Sequence, residues 1–92
     1  MKIKFVFTSQ ISLIAKKNDQ SIEVVDNSSI QTAIMELLKS NSQEFKELIL
    51  DQHDQLLPAI LLIKNDDQIS FDDKSSLKDG DEIMLFSPMS GG

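Results

Sequence analysis

At 92 residues and 40% hydrophobic content, the chain has the length for one domain and too many apolar residues for disorder. Fifteen acidic side chains against nine basic ones, all lysine, give a net charge of −6, which argues against a phosphate-binding surface and so against a nucleic-acid partner. With no cysteine there is neither a disulfide framework nor a thiolate catalyst, and no apolar run nears the ~20 residues of a membrane span. The opening MKIKFVF has no long apolar region and no small-residue cleavage site, so a cytoplasmic chain without membrane attachment is expected.

Ile3, Phe5 and Phe7 alternate with Lys2, Lys4 and Val6, the pattern of a half-buried strand. Thr8 to Ser21 is mostly polar, and its Ile11, Leu13 and Ile14 are expected to tuck under the sheet. A second strand is predicted over Ser21 to Val25, with Ile22 and Val24 on one face. Ser28 and Gln31 read as a capping box ahead of a helix whose Ile30, Ala33, Ile34, Leu37 and Leu38 make one apolar stripe. Asn41 ends that helix and is predicted to cap a shorter one, with Glu44 as its reciprocal partner and Phe45, Leu48 and Ile49 buried.

Asp51 to Gln55 is a polar loop holding the only histidine, His53, with no carboxylate–His–Ser arrangement around it. Pro58 opens the most apolar stretch. Ala59 to Ile63 suggests a central strand covered on both faces, or one whose second face meets a partner. Asn65, Asp66 and Asp67 turn the chain into a short strand around Ile69 to Phe71. Ser75 to Asp81 reads as a helical turn and a glycine-assisted bend, and Glu82 to Phe86 as the last strand before Pro88 leaves the sheet.

One main helix covers only one face of a sheet. On the last strand Ile83 and Leu85 point one way, Met84 and Phe86 the other. If the first pair meets the helix, Met84 and Phe86 form an open patch beside Val6 and part of the Ile60 to Ile63 run, a candidate partner-binding face. Asp66-Asp67 and Asp72-Asp73 are adjacent pairs that seldom share a ligand set, and no Gly-rich phosphate loop occurs, so neither a metal nor a nucleotide is expected on this chain.

Leu77 to Gly92 reads LKDGDEIMLFSPMSGG and ends on two glycines that complete no turn. Together with the MKIKFVF opening, the capped helix and the ILLIKND strand-turn, this run resembles the small, sulfur-carrying subunits of molybdopterin synthase. The resemblance rests on the Asp79-Gly80-Asp81-Glu82 turn, the apolar strand, the Pro-containing tail and Gly91-Gly92. It implies an α+β, ubiquitin-like β-grasp fold, a mixed sheet of about five strands packed on one main helix. Residues 1–86 would form that domain and residues 87–92 a flexible tail. Such tails commonly carry two successive prolines where this chain has Ser87-Pro88, and a second aromatic often stands where it has Thr8.

The resemblance further implies that the α-carboxylate of Gly92 is the reactive group. An ATP-dependent activating enzyme would adenylate it, sulfur transfer would convert it to a thiocarboxylate, and the large synthase subunit would pass that sulfur to a pterin precursor. ATP belongs to the activating enzyme, so the chain is a co-substrate rather than a catalyst on its own. Gly91 and Gly92 would thread a narrow channel, Pro88 would stiffen the stalk, and Ser87, Met89 and Ser90 would line the entry. The same terminal chemistry serves carriers for thiamin or another sulfur metabolite; the Asn41 to Leu57 insertion argues for the longer, molybdopterin type. It also serves a ubiquitin-like modifier joined through Gly92 to lysines, while a non-covalent binding module would need only the Met84/Phe86 face.

Overall fold

The computed structural model describes residues 1–87. Strands β1 (Lys2–Phe7), β2 (Asp19–Glu23), β3 (Leu61–Lys64), β4 (Asp67–Ile69) and β5 (Glu82–Phe86) form one sheet in the order β2-β1-β5-β3-β4. β1 and β5 run parallel; the other three pairings are antiparallel. Helices α1 (Ser9–Ala15), α2 (Ile30–Lys39) and α3 (Gln43–Ile49) complete the described elements.

The core forms where two periodicities meet. Ile3 and Phe5 of β1, Leu62 of β3, and Ile83 and Leu85 of β5 are buried in one cluster with Ile30, Ala33, Ile34 and Leu37 of α2 and Phe45 and Ile49 of α3. Phe7 and Phe45 meet edge to face, with ring centroids 5.4 Å apart. All these strand residues point to one side of the sheet, as the alternation of β1 and β5 requires.

Several boundaries differ from the sequence reading. The polar stretch after β1 contains a helix, α1, which buries Ile11 and leaves Leu13 72% exposed instead of tucked under the sheet. β2 begins two residues earlier than Ser21, and Val24 is buried beyond its end. The N-cap of α2 is Ser29, whose hydroxyl accepts from Thr32 N–H, rather than Ser28. Ser28 is committed elsewhere: its hydroxyl donates to Val25 O at 2.7 Å and its carbonyl accepts from Leu77 N–H at 2.8 Å. Likewise Ser42, not Asn41, caps α3, its hydroxyl accepting from Phe45 N–H at 3.1 Å, while Asn41 is turned back to α2, where its Nδ2 donates to Leu37 O at 2.9 Å.

β3 is an interior strand, as its apolar run suggests, paired on one edge with β5, the middle strand of the five, and on the other with β4. Asn65 and Asp66 both take positive φ, 48° and 78°, the left-handed geometry of a tight hairpin between β3 and β4. That hairpin places β4 two residues earlier than Ile69 to Phe71. No helical turn forms over Ser75 to Lys78; Leu77 is instead inserted into the core at 4% exposure.

Candidate functional site

The Asp79-Gly80-Asp81-Glu82 turn is stitched to two distant segments. Asp79 Oδ1 accepts from Lys2 N–H at 2.6 Å, and Gly80 N–H donates to Lys2 O at 2.8 Å. Gly80 has φ +89°, a conformation that L side chains rarely adopt. Asp81 is buried, and its two carboxylate oxygens accept from Asn65 Nδ2 at 2.9 Å and Lys78 N–H at 2.8 Å. Asn65 Oδ1 in turn accepts from Glu82 N–H at 3.0 Å. These contacts set the height at which β5 enters the sheet, and with it the side to which each β5 residue points.

The helix-free side of the sheet follows from that register. Met84 lies between Val6 on β1 and Ile63 on β3, and Phe86 lies opposite Leu61. All five are half-buried. The Lys4–Glu82 ion pair, 3.7 Å long, borders the patch at one end, and Asp19 borders it beside Val6. The structure thus brings together Val6, Met84 and Phe86, as the alternation anticipated, and shows that the part of the Ile60 to Ile63 run beside them is Leu61 and Ile63. The unbroken apolar character of that run was their signal.

Ser87 follows Phe86 directly. Its N–H donates to Thr8 Oγ1 at 3.3 Å, and Thr8 Oγ1 donates to Leu85 O at 3.1 Å. Thr8 is also the residue at the N-cap of α1, with extended backbone angles, yet its side chain makes no capping bond. A capping hydroxyl typically stabilises a helix by about 1 kcal/mol, so this one is spent on β5 instead. Nothing in the sequence pattern announced that role for Thr8. Pro88, Met89, Ser90, Gly91 and Gly92 lie outside the described residues.

Elsewhere the described surface offers little for catalysis. A cleft of about 680 Å³ runs along β4 between Leu57, Pro58, Ile69 and Phe71, and Asp72 is the one ionisable residue in its lining. Among the described residues no three His, Asp or Glu side chains are grouped for a metal ion. Asp51 and Asp73 have carboxyls held below the ordinary range, the first by backbone N–H donors of Gln55 and His53, the second by Ser75; both stand on loops. No described helix is long and apolar enough to cross a membrane.

A five-stranded mixed sheet in this order, wrapped on one face around a principal helix, is the ubiquitin-like β-grasp fold expected from the sequence. SAMP1 from Haloferax volcanii shares it over 100% of both chains, with a TM-score of 0.89 at 17% identity. A chain of the complex of subunits 1 and 2 of molybdopterin-converting factor from Helicobacter pylori matches 100% of both chains at 26% identity and a TM-score of 0.63. The molybdopterin synthase sulfur carrier subunit of Chlamydomonas reinhardtii is 24% identical over 92 residues, covering 100% of each chain. The model of the ThiS family matches residues 6–92. The chain belongs to the ThiS family.

Proposed function

We propose that this chain is the sulfur carrier of a molybdopterin synthase. One observation carries the reading: the strand that bears the open apolar patch is the strand that leads to Gly91-Gly92. β5 presents Met84 and Phe86 on that patch, and Ser87, next in the chain, is held at its end. A partner seated on Val6, Met84, Phe86, Leu61 and Ile63 would therefore receive the C-terminal segment at the edge of the same contact. The end-to-end match to the Chlamydomonas carrier subunit supports molybdopterin among the sulfur pathways. The Helicobacter complex of subunits 1 and 2 supports a second subunit as the kind of partner this chain would meet.

In this reading an oxygen of the Gly92 carboxylate attacks the α-phosphorus of ATP on an activating enzyme, and pyrophosphate leaves. A sulfur donor then displaces AMP from the acyl adenylate, leaving a thiocarboxylate. Within the complex with the synthase large subunit the thiocarboxylate sulfur bonds to a carbon of a pterin precursor as a leaving group departs there, and water then cleaves the acyl–sulfur bond, which returns Gly92 to the carboxylate form. No side chain of this chain enters the bond-making steps. The fold's contribution is delivery.

The test is coexpression with the host's activating enzyme, treatment with a thiol-alkylating reagent, and localisation of the adduct by mass. Exchange of oxygen for sulfur and oxidation of one of the four methionines add nearly equal mass, so alkylation is needed to tell them apart. With no cysteine in the chain, an alkyl group on Gly92 reports a thiocarboxylate. Absence of alkylation with an active activating enzyme rejects the carrier reading. Adducts joining Gly92 to lysines of other proteins would instead mark a ubiquitin-like modifier; the small archaeal modifier protein 1 of Haloferax volcanii, named as a modifier, shares this fold.

A further inference from the structure

We infer that Thr8 is a positioning residue for this delivery, its hydroxyl standing in for a rung of the sheet that the backbone has abandoned. The inference rests on the carrier reading above. In a parallel ladder every second residue of one strand bridges two groups that flank its partner on the other. Lys4 N–H donates to Asp81 O at 3.0 Å, in register with Glu82, and the pairing of Val6 with Met84 is the next step. The step after that falls on Thr8, opposite Phe86, and its two groups on β5 are Leu85 O and Ser87 N–H.

At Thr8, however, the chain turns away into α1, and its carbonyl accepts from Ile11 N–H and Ser12 N–H at 3.0 and 3.3 Å. Thr8 Oγ1 meets both of those β5 groups, donating to Leu85 O and accepting from Ser87 N–H. One hydroxyl so prolongs the pairing of β5 by a residue, to the root of the segment that ends in Gly91-Gly92. The acceptor half of this device needs an N–H at position 87. A proline there, as in the tails that this sequence resembles, has none to give. The two departures noted in the sequence, Thr8 and Ser87, are the two ends of one hydrogen bond.

The lever arm gives the contact its consequence. Five residues past Ser87 span at most about 18 Å, so a 30° change of direction at the root displaces their far end by up to about 9 Å. A receiving channel then meets the tail more often when its root is held, and apparent affinity falls as the held fraction falls.

The experiment compares the full chain with Thr8→Val, which keeps the shape and removes both hydrogen bonds, and Thr8→Ser, which keeps the hydroxyl. Amide hydrogen exchange at Ser87 reads the tether, and ATP–pyrophosphate exchange on the host's activating enzyme reads delivery. Ser87 is expected to be protected in the parent and Thr8→Ser and measurably less protected in Thr8→Val. Thr8→Val is expected to raise KM for the carrier about 3- to 10-fold with kcat near the parent value, and Thr8→Ser to restore it. Equal Ser87 exchange in the parent and Thr8→Val overturns the tether. Lost protection with unchanged KM overturns the positioning role. If the parent itself is not adenylated while Ser87 protection still follows the hydroxyl, the carrier reading has failed and the positioning role with it, and the tether stands.

Discussion

The side-chain amide of Asn65 donates to the carboxylate of Asp81 at 2.9 Å, joining residues 16 apart in sequence. This bond ties the β3–β4 hairpin to the bend that launches β5. Asp81→Ala removes the acceptor of two part-buried bonds, from Asn65 Nδ2 and Lys78 N–H, a loss of about 1–2 kcal/mol because water can reach the exposed Asn65 and Lys78. Asp81→Asn, which keeps one acceptor oxygen, is expected to lose less, and Asp79→Ala, on the exposed side of the turn, less again. Urea midpoints of the three variants check the order.

Gly80→Ala is expected to destabilise the chain by about 1–2 kcal/mol through backbone strain alone. A Cβ built at Gly80 meets nothing within 4 Å, so no steric clash contributes. Gly80→Asn should therefore cost less than Gly80→Ala despite its larger side chain, because asparagine tolerates positive φ better. The reverse order in thermal denaturation would contradict the strain account.

Met84 and Leu85 are neighbours on opposite sides of β5 and should respond oppositely. Leu85 is fully buried, so Leu85→Ala is expected to cost about 2–5 kcal/mol of stability. Met84→Lys, on the half-buried open face, should change stability by less than about 1 kcal/mol. On the proposed carrier function, it should also weaken binding to a synthase large subunit about 10-fold or more, as loss of a residue at the centre of an interface does. Denaturation and calorimetric titration of the same two variants separate core from interface.

Asp51 Oδ1 accepts from His53 N–H at 2.7 Å and from Gln55 N–H at 3.1 Å, which holds its carboxyl below the ordinary range. A lowered folded-state pKa means stability that is present above the unfolded value, near 3.8, and lost as pH falls through the folded one. The parent is expected to be more stable than Asp51→Asn at neutral pH, with the gap closing as pH drops below that ordinary value. Denaturation midpoints taken from neutral to strongly acidic pH check the sign.

The sequence by itself determined the features that depend on near neighbours. Alternation in Ile3 to Phe7 and in Ile83 to Phe86 put the right residues in the core, because side-chain direction along a strand has a period of two whatever lies around it. The stripe on α2 was equally legible, since Ile30, Ala33, Ile34 and Leu37 share a helical face before any tertiary contact forms. The glycine in the Asp79 to Glu82 bend announced its positive φ through the bare steric cost of that geometry for other residues.

What only the tertiary structure decided were choices between locally equivalent groups. Ser28 and Ser29 are both competent caps, and Leu77, far along the chain, settles the matter by occupying the carbonyl of Ser28. Asn41 gives way to Ser42 because its side chain is held back toward α2, with Nδ2 donating to Leu37 O and Gln20 Oε1, and the Ser42 hydroxyl is the one placed to accept from Phe45 N–H. Thr8 would serve α1 as a cap, but β5 arrives beside it and its hydroxyl turns to Leu85 and Ser87. Hydrogen-bonding groups of similar strength are assigned by which partner the fold brings within 3 Å or so, and periodicity carries no record of that distance.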